Sequence, residues 1–180
     1  MPEFTKKFGF LIFFICIFVL LLSPAGCMGQ EKADESKTRE DMNKDFLQVY
    51  TEDFWNTHNL AAINKYYSED FIMHSVSGDR NLEQYKELCQ EYFTAFPDLH
   101  IASDDLVAEG DKVAKRWTVT STHKGEFMGI PATGNQIKVT GIEIFRIKDG
   151  KIVELWVNMD NLGMMQQLGV IPRPEEKVQE

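Results

Sequence analysis

The sequence predicts an α+β domain in which helices come first and a run of antiparallel strands follows, with the helices on one side of the sheet. Three observations carry this. Between Phe46 and Phe96 apolar residues recur at helical spacing, whereas from His100 onward they alternate with period two. The third is the stretch IKVTGIEIFRIKDGKIVELWVNMDNLG, Ile137 to Gly163, where two alternating runs flank Asp149-Gly150. That dipeptide tolerates left-handed backbone, which suits a tight turn between antiparallel strands.

The elements follow in order. Lys6 and Lys7 precede an apolar run from Phe8 to Leu22 that ends in Ser23-Pro24-Ala25-Gly26-Cys27, the pattern of an export signal rather than of a membrane span. Residues 1–26 are therefore set aside from the fold. Residues 27–40 are dominated by charge from Gln30 onward and read as a solvated tether. The domain proper is expected over residues 41–172, with a polar tail at 173–180. Phe46, Val49, Tyr50 and Phe54 mark an amphipathic helix from about Asp41 to Asn56, started by Thr38 or Asp41. Asn59 can cap a second helix, Leu60 to Tyr67. Phe71 to His74 is a short extended piece. A third helix runs from about Leu82 to Phe96, with Leu82, Tyr85, Cys89, Tyr92, Phe93 and Phe96 on one side, and Pro97 stops it.

The strands are expected at Ile101 to Ala108, Lys112 to His123, Val139 to Ile147 and Ile152 to Met159, with Gly110-Asp111 as a turn. Lys124 to Asn135 holds three glycines and Pro131 and forms a loop able to present Phe127 and Met128. Leu162, Met165 and Leu168 allow a short closing helix, ended by Gly169 and Pro172.

With 180 residues and 43% hydrophobic content, the chain has the material for one domain with its own core. A net charge of −9, with no Lys/Arg cluster inside the domain, argues against sequence-independent nucleic-acid binding, which needs a basic face. Cys16, Cys27 and Cys89 give neither a disulfide framework nor a zinc spacing, and no histidine pair with nearby acids has metal-ligand spacing, so no metal site is expected. Cys89 falls on the apolar stripe of its helix and reads as a buried thiol.

A two-residue turn at Asp149-Gly150 sets Ile147 opposite Ile152. Counting outward puts Glu143 beside Trp156, Gly141 beside Asn158 and Val139 beside Asp160. Glu143, Trp156, Asn158 and Asp160 would then share one face, and Ile142, Ile144, Leu155, Val157 and Met159 the other. An indole, an amide and two carboxylates on one face suit a half-buried pocket better than a solvated face or a dry core. The whole arrangement hangs on the register. On the second strand Trp117 shares its parity with Val113 and Val119 and is the inward residue, which leaves Arg116 as a cross-strand or dimer-face charge. His123 shares that parity and lies at the pocket rim or at a solvated strand end.

Several stretches resemble a known family: FPDLHIASDDLVAEGDKVAKRW from Phe96, THKGEFMGIPATG from Thr122, GIEIFRIKDGKIVELW from Gly141, Asp160 with LGMMQQLG, and the DFIMH of Asp70 to His74. Over about Asp41 to Pro172 the chain resembles the SnoaL-like polyketide cyclase (ester cyclase) family of the nuclear transport factor 2-like superfamily. The resemblance implies a curved antiparallel sheet that, with N-terminal helices, forms a cone around a central pocket. It also implies an intramolecular aldol closure without metal or organic cofactor, a small apolar or aromatic ligand, and a homodimer formed through the open face of the sheet. The family's acid/base aspartate matches Asp160, and its frequent histidine matches His74. Its assisting histidine on the preceding strand has no counterpart between Thr140 and Lys148. Ala25-Gly26-Cys27 resembles the end of a lipoprotein signal and implies lipidation at Cys27, although Pro24 stands where such signals carry Leu. Ordinary cleavage or an uncleaved anchor is the alternative to lipidation; either way such a domain would lie outside the cytoplasm, and a lipid or an uncleaved signal would hold it to the membrane at its N-terminus.

Two readings stay open for most candidates. Asp160 can move a proton, or it can cap the helix that follows it. Glu143 can join it, as a neutral carboxyl donor joins a carboxylate base in ketosteroid isomerase, or it can be an ordinary exposed or ion-paired strand residue. His74 can relay a proton or hold structure. Trp156, Asn158, Tyr92, Phe96, Trp117 and Phe127 can bind a flat apolar substrate, or serve simply as core. The function follows as either a cyclase or isomerase using Asp160, or a non-catalytic extracytoplasmic binder of a small ligand.

Overall fold

The computed structural model describes residues 37–172; the expected export signal and the expected lipidation at Cys27 lie outside the described residues. In this domain four helices and six strands follow the order α1 (Arg39–Tyr50), α2 (Ile63–Tyr66), β1 (Tyr67–His74), β2 (Arg80–Asn81), α3 (Leu82–Ala95), β3 (His100–Glu109), β4 (Lys112–Thr122), β5 (Gln136–Lys148), β6 (Lys151–Met159) and α4 (Asn161–Leu168). The α+β class is as expected. The sheet is curved and unclosed, with strand order β2-β1-β6-β5-β4-β3.

Local chemistry explains the ends of these elements. The Thr38 hydroxyl accepts the Asp41 N–H at 3.1 Å, and Glu40 and Asp41 sit in the first turn of α1, where the helix dipole favours anions. α1 continues into a π-helical turn, Thr51–Asn56, in place of the regular helix expected there. α3 opens with a capping box: the Asn81 side chain accepts the Gln84 N–H while the Gln84 side chain accepts the Asn81 N–H. The β1–β6 pairing is parallel, which corrects the expectation of a wholly antiparallel sheet. Only strands joined by tight turns are obliged to run antiparallel, and helix α3 and four strands separate β1 from β6.

The hairpin turn forms as expected, with positive φ at Asp149 and Gly150 and the pairs Lys148–Lys151 and Ile147–Ile152. One step further the register shifts. Arg146 pairs with Glu154, so Val153 is an extra residue and the pairs become Ile144–Trp156, Glu143–Val157 and Ile142–Asn158. The predicted partners of Glu143 and Gly141 are therefore wrong by one, and a slip of one turns every side chain to the other face. Glu143 faces inward with Leu155, Val157 and Met159. Trp156 and Asn158 face outward with Ile142 and Ile144.

Two apolar clusters fill the inner side. One joins α1, the π-helical turn, β1 and the start of α3 to Val113, Phe145, Ile147, Ile152 and Leu155. The other joins the end of α3 to Ile101, Trp117, Val119, Phe127, Val139 and α4. Trp55 packs against both.

Candidate functional site

A cavity of about 100 Å³ lies where the two clusters meet. α3 supplies Tyr85, Leu88 and Tyr92, the π-helical turn supplies Trp55, and the strands supply Trp117, Val119, Glu143, Leu155, Val157 and Met159. A wider depression near Gln48, Glu52 and Asp53 is open to solvent and polar at its rim, and it encloses nothing.

Glu143 is the one carboxyl in the cavity wall. Among the described residues nothing donates a hydrogen bond to it. Burial pushes its pKa up, and the positive charge of Lys115 partly offsets this. Lys115 is its direct partner on β4 and is 1% exposed. Burial lowers the Lys115 pKa while Glu143 and Glu52 act against that. No direct ion pair forms: the Lys115 ammonium instead donates to the Thr51 hydroxyl at 2.8 Å, and Thr51 donates to the Leu47 carbonyl at 2.8 Å. The π-helical turn begins at this threonine, so the cation that faces the carboxyl is held by the irregular end of α1.

Trp117 lines the cavity, as its parity predicted, and its indole lies against Gly141, where an added Cβ would meet ring atoms at 2.3 to 2.8 Å. Its buried Nε1–H has no partner among the described residues. Tyr92 also lines the cavity; burial raises its phenol to about 12, and its hydroxyl donates to the Met159 sulfur at 3.9 Å. Phe96 and Phe127 lie beside Tyr92, with ring centroids 6.2 and 4.9 Å from it, and form the packed floor under the loop rather than the cavity wall.

The other candidates are elsewhere. The Asp160 carboxylate is exposed and accepts the Gly163 N–H at 2.8 Å as the N-cap of α4. His74 stacks on Trp156 on the outer face, centroids 5.1 Å apart, with its Nδ1 3.0 Å from Asp79. Arg146 and Lys112 lie over the same indole. Trp156, Asn158 and His74 thus form an outer-face group, and the bulge at Val153 is why they do not meet Glu143. Arg116 pairs with Asp104 and Asp105 across to β3. His123, rather than standing at a rim, is 0% exposed: it stacks on Phe96, and its Nδ1 accepts the Thr133 N–H at 3.3 Å. Among the described residues no three metal-ligating side chains come together.

Sequence reasoning did not single out Tyr85, Trp55 or Lys115. Tyr85 was visible only as one ring of an apolar stripe. Lys115 has the inward parity of Trp117 and Val113, so its position carried a signal: a lysine on the buried side of an alternating strand needs a partner.

The domain's architecture recurs in solved proteins. AclR of Streptomyces galilaeus, described as a candidate hydroxylase, is 32% identical over 75% of this chain and 86% of its own, with a TM-score of 0.69. TsrD of Streptomyces laurentii is 27% identical over 75% of this chain and 100% of its own, with a TM-score of 0.67. IdmH of Streptomyces antibioticus, a candidate polyketide cyclase, is 32% identical over 71% of this chain and 98% of its own, with a TM-score of 0.62. No curated protein matches the chain. The family described as SnoaL-like polyketide cyclase matches residues 45–168, which take in every residue of the cavity wall, and the chain belongs to that family.

Proposed function

We propose that the chain is a cofactor-free acid/base catalyst of the cyclase or isomerase type, acting on a small apolar carbonyl compound with Glu143 as the proton carrier. One observation carries the proposal: a single carboxyl, its pKa raised by burial, stands in an otherwise apolar wall. As the anion, Glu143 takes a proton from a carbon next to the carbonyl. The C–H electron pair becomes a C=C bond and the carbonyl pair moves onto oxygen, giving an enolate. In an isomerisation the proton returns to a different carbon. In an aldol closure the enolate carbon attacks a second carbonyl, and Glu143 protonates the new alkoxide. Lys115 supports the anionic form. A cavity of about 100 Å³ is below the roughly 300–1,000 Å³ of pockets for drug-sized ligands, which favours a compact substrate over a multi-ring one. The relatives' names cover different chemistries, as one fold commonly does.

The resemblance gives the proton to Asp160, and the two assignments separate experimentally. In D2O, proton NMR follows exchange of the α-hydrogens of cyclopentanone. Glu143→Gln is expected to abolish exchange. Asp160→Asn is expected to retain it with stability nearly unchanged, because the asparagine side-chain oxygen can still accept the Gly163 N–H. The reverse pattern moves the chemistry to Asp160. A wild-type protein that binds the ketone without exchange supports a non-catalytic binder, the second reading, which the small, apolar cavity also suits.

The proposal extends to location and assembly. The domain is exported and tethered through a lipidated Cys27, on the strength of the N-terminal sequence, and intact mass of the mature N-terminus checks it. It pairs as a homodimer through the outer sheet face, where Ile72, Ile142 and Ile144 are exposed.

A further inference from the structure

Glu143 and Lys115 are direct partners on β5 and β4, a pairing that sets Cβ atoms about 4.5–5.5 Å apart. A lysine stem is longer than that gap, so the ammonium can reach the carboxylate, and opposite charges shut away from water attract strongly. Yet the two do not pair. The ammonium turns toward the end of α1 and donates to the Thr51 hydroxyl at 2.8 Å, its one hydrogen-bond partner among the described residues.

The polarity of that contact is fixed. A threonine hydroxyl has one proton to give, and Thr51 gives it to the Leu47 carbonyl at 2.8 Å, one helical turn back. Its oxygen is left as an acceptor for the ammonium. Thr51 and Lys115 are each 1% exposed, so bulk water competes for neither. Thr51 also opens the π-helical turn, and single π turns within helices are often kept at functional sites. The same turn carries Glu52, whose charge favours the ammonium, and Trp55 of the cavity wall.

We infer that Thr51 is a positioning residue for Glu143: its hydroxyl holds the Lys115 ammonium back, so that the carboxyl faces a cation without being paired to it. The inference rests on the proton-transfer reading above and deepens it, because it concerns what sets the strength of that base. A carboxylate paired with lysine in a dry site is so favoured as the anion that it takes up protons poorly, and a buried carboxyl with no cation nearby stays protonated and can take up none. A cation held off by one hydroxyl lies between these extremes. The other ionisable groups near Glu143 are the Tyr50 phenol from α1 and, from α3, the phenols of Tyr85 and Tyr92 and the Cys89 thiol. Burial pushes all four up, so they stay neutral over the working range. β6 meets Glu143 with Leu155, Val157 and Met159, which carry no charge. Among the described residues, then, the place of the Lys115 charge is what tunes the carboxyl.

The test titrates Glu143 in the whole folded domain by carbon-13 NMR of the side-chain carboxyls, its signal being the one missing from Glu143→Gln. Over the same pH range it follows α-hydrogen exchange of cyclopentanone in D2O. Thr51→Val keeps the shape of the side chain and removes the oxygen. The released ammonium should close on Glu143, lowering the titration midpoint by about one pH unit or more and slowing exchange above the midpoint about threefold or more, since a weaker base takes a proton more slowly. Thr51→Ser, which keeps the oxygen, should stay near the wild type in both. Adding Thr51→Val to Lys115→Met should move the midpoint no further than Lys115→Met alone, because Thr51 acts through the lysine. Where Thr51→Val does not fold, Thr51→Ala carries the same expectation. A midpoint that stays or rises on loss of the hydroxyl overturns the inference, as does Thr51→Ser behaving like Thr51→Val. A wild type whose carboxyl responds to Thr51 as expected but that exchanges no hydrogen overturns the proton-transfer reading instead, and leaves Thr51 setting the charge of a binding pocket.

Discussion

Gly141 has no side chain because the indole of Trp117 occupies that space: a Cβ there would meet three ring atoms between 2.3 and 2.8 Å away. Gly141→Ala must push the indole toward the cavity. We expect a loss of about 1–3 kcal/mol in urea unfolding with shifted tryptophan emission; wild-type stability would show that the indole is not seated there. Lys115 makes a second prediction at this scale. Because burial raises the Glu143 pKa in the fold, its contribution to stability is fully present below its ordinary value near 4.5 and is lost as pH rises through the raised value. Lys115→Met removes the charge that limits this loss. The variant should lose little at pH 4 beyond its bond to Thr51, and on the order of 3 kcal/mol at pH 8, where a lone carboxylate is left buried. Adding Glu143→Gln should cancel the pH-dependent part, as urea titrations at the two pH values would report. Trp117 was legible as an inward residue from alternation alone, whereas the burial of Lys115 depended on what faces it across β5 and α1.

At the scale of elements, the β5–β6 hairpin shows how far local sequence carries. Asp149-Gly150 announced the turn, because positive φ at both positions suits few residues. The bulge at Val153 left no mark, since valine is at home in any strand position, and it exchanged Trp156 for Leu155 and Val157 on the cavity side. The loop between β4 and β5 is a second case. Its glycines and proline marked a loop, but its anchor is His123, whose Nδ1 accepts the Thr133 N–H and whose carbonyl accepts the Gly134 N–H at 2.9 Å. Burial lowers the His123 pKa. A base depressed in the fold costs nothing above its ordinary value near 6.5, and below it the unfolded chain takes up the proton that the native state refuses. The melting temperature should therefore fall from pH 7 to pH 5 more steeply in the wild type than in His123→Asn. Amide exchange at Gly134 should quicken over the same range. Equal slopes in the two proteins would remove His123 as the loop's acid-sensitive anchor.

For the whole molecule, the curved sheet separates two chemistries. Its inner side closes on a small apolar cavity with one carboxyl in its wall, and its outer side shows Ile72, Ile142 and Ile144 among ion pairs and the Trp156–His74 stack. If the outer face pairs two copies, sedimentation at micromolar concentration should give a dimer, and Ile142→Lys with Ile144→Lys should give a folded monomer. A wild-type monomer would leave that face unpartnered. The sequence by itself determined the order of helices and strands, their caps and turns, the family and the inward parity of β4, because periodicity, capping and turn chemistry act within a few residues. Only the tertiary structure decided which face of the hairpin meets the cavity and that Asp160 caps a helix while Glu143 lines the wall. Those outcomes depend on a single-residue shift in pairing and on contacts between segments far apart in the chain, and no local pattern encodes either.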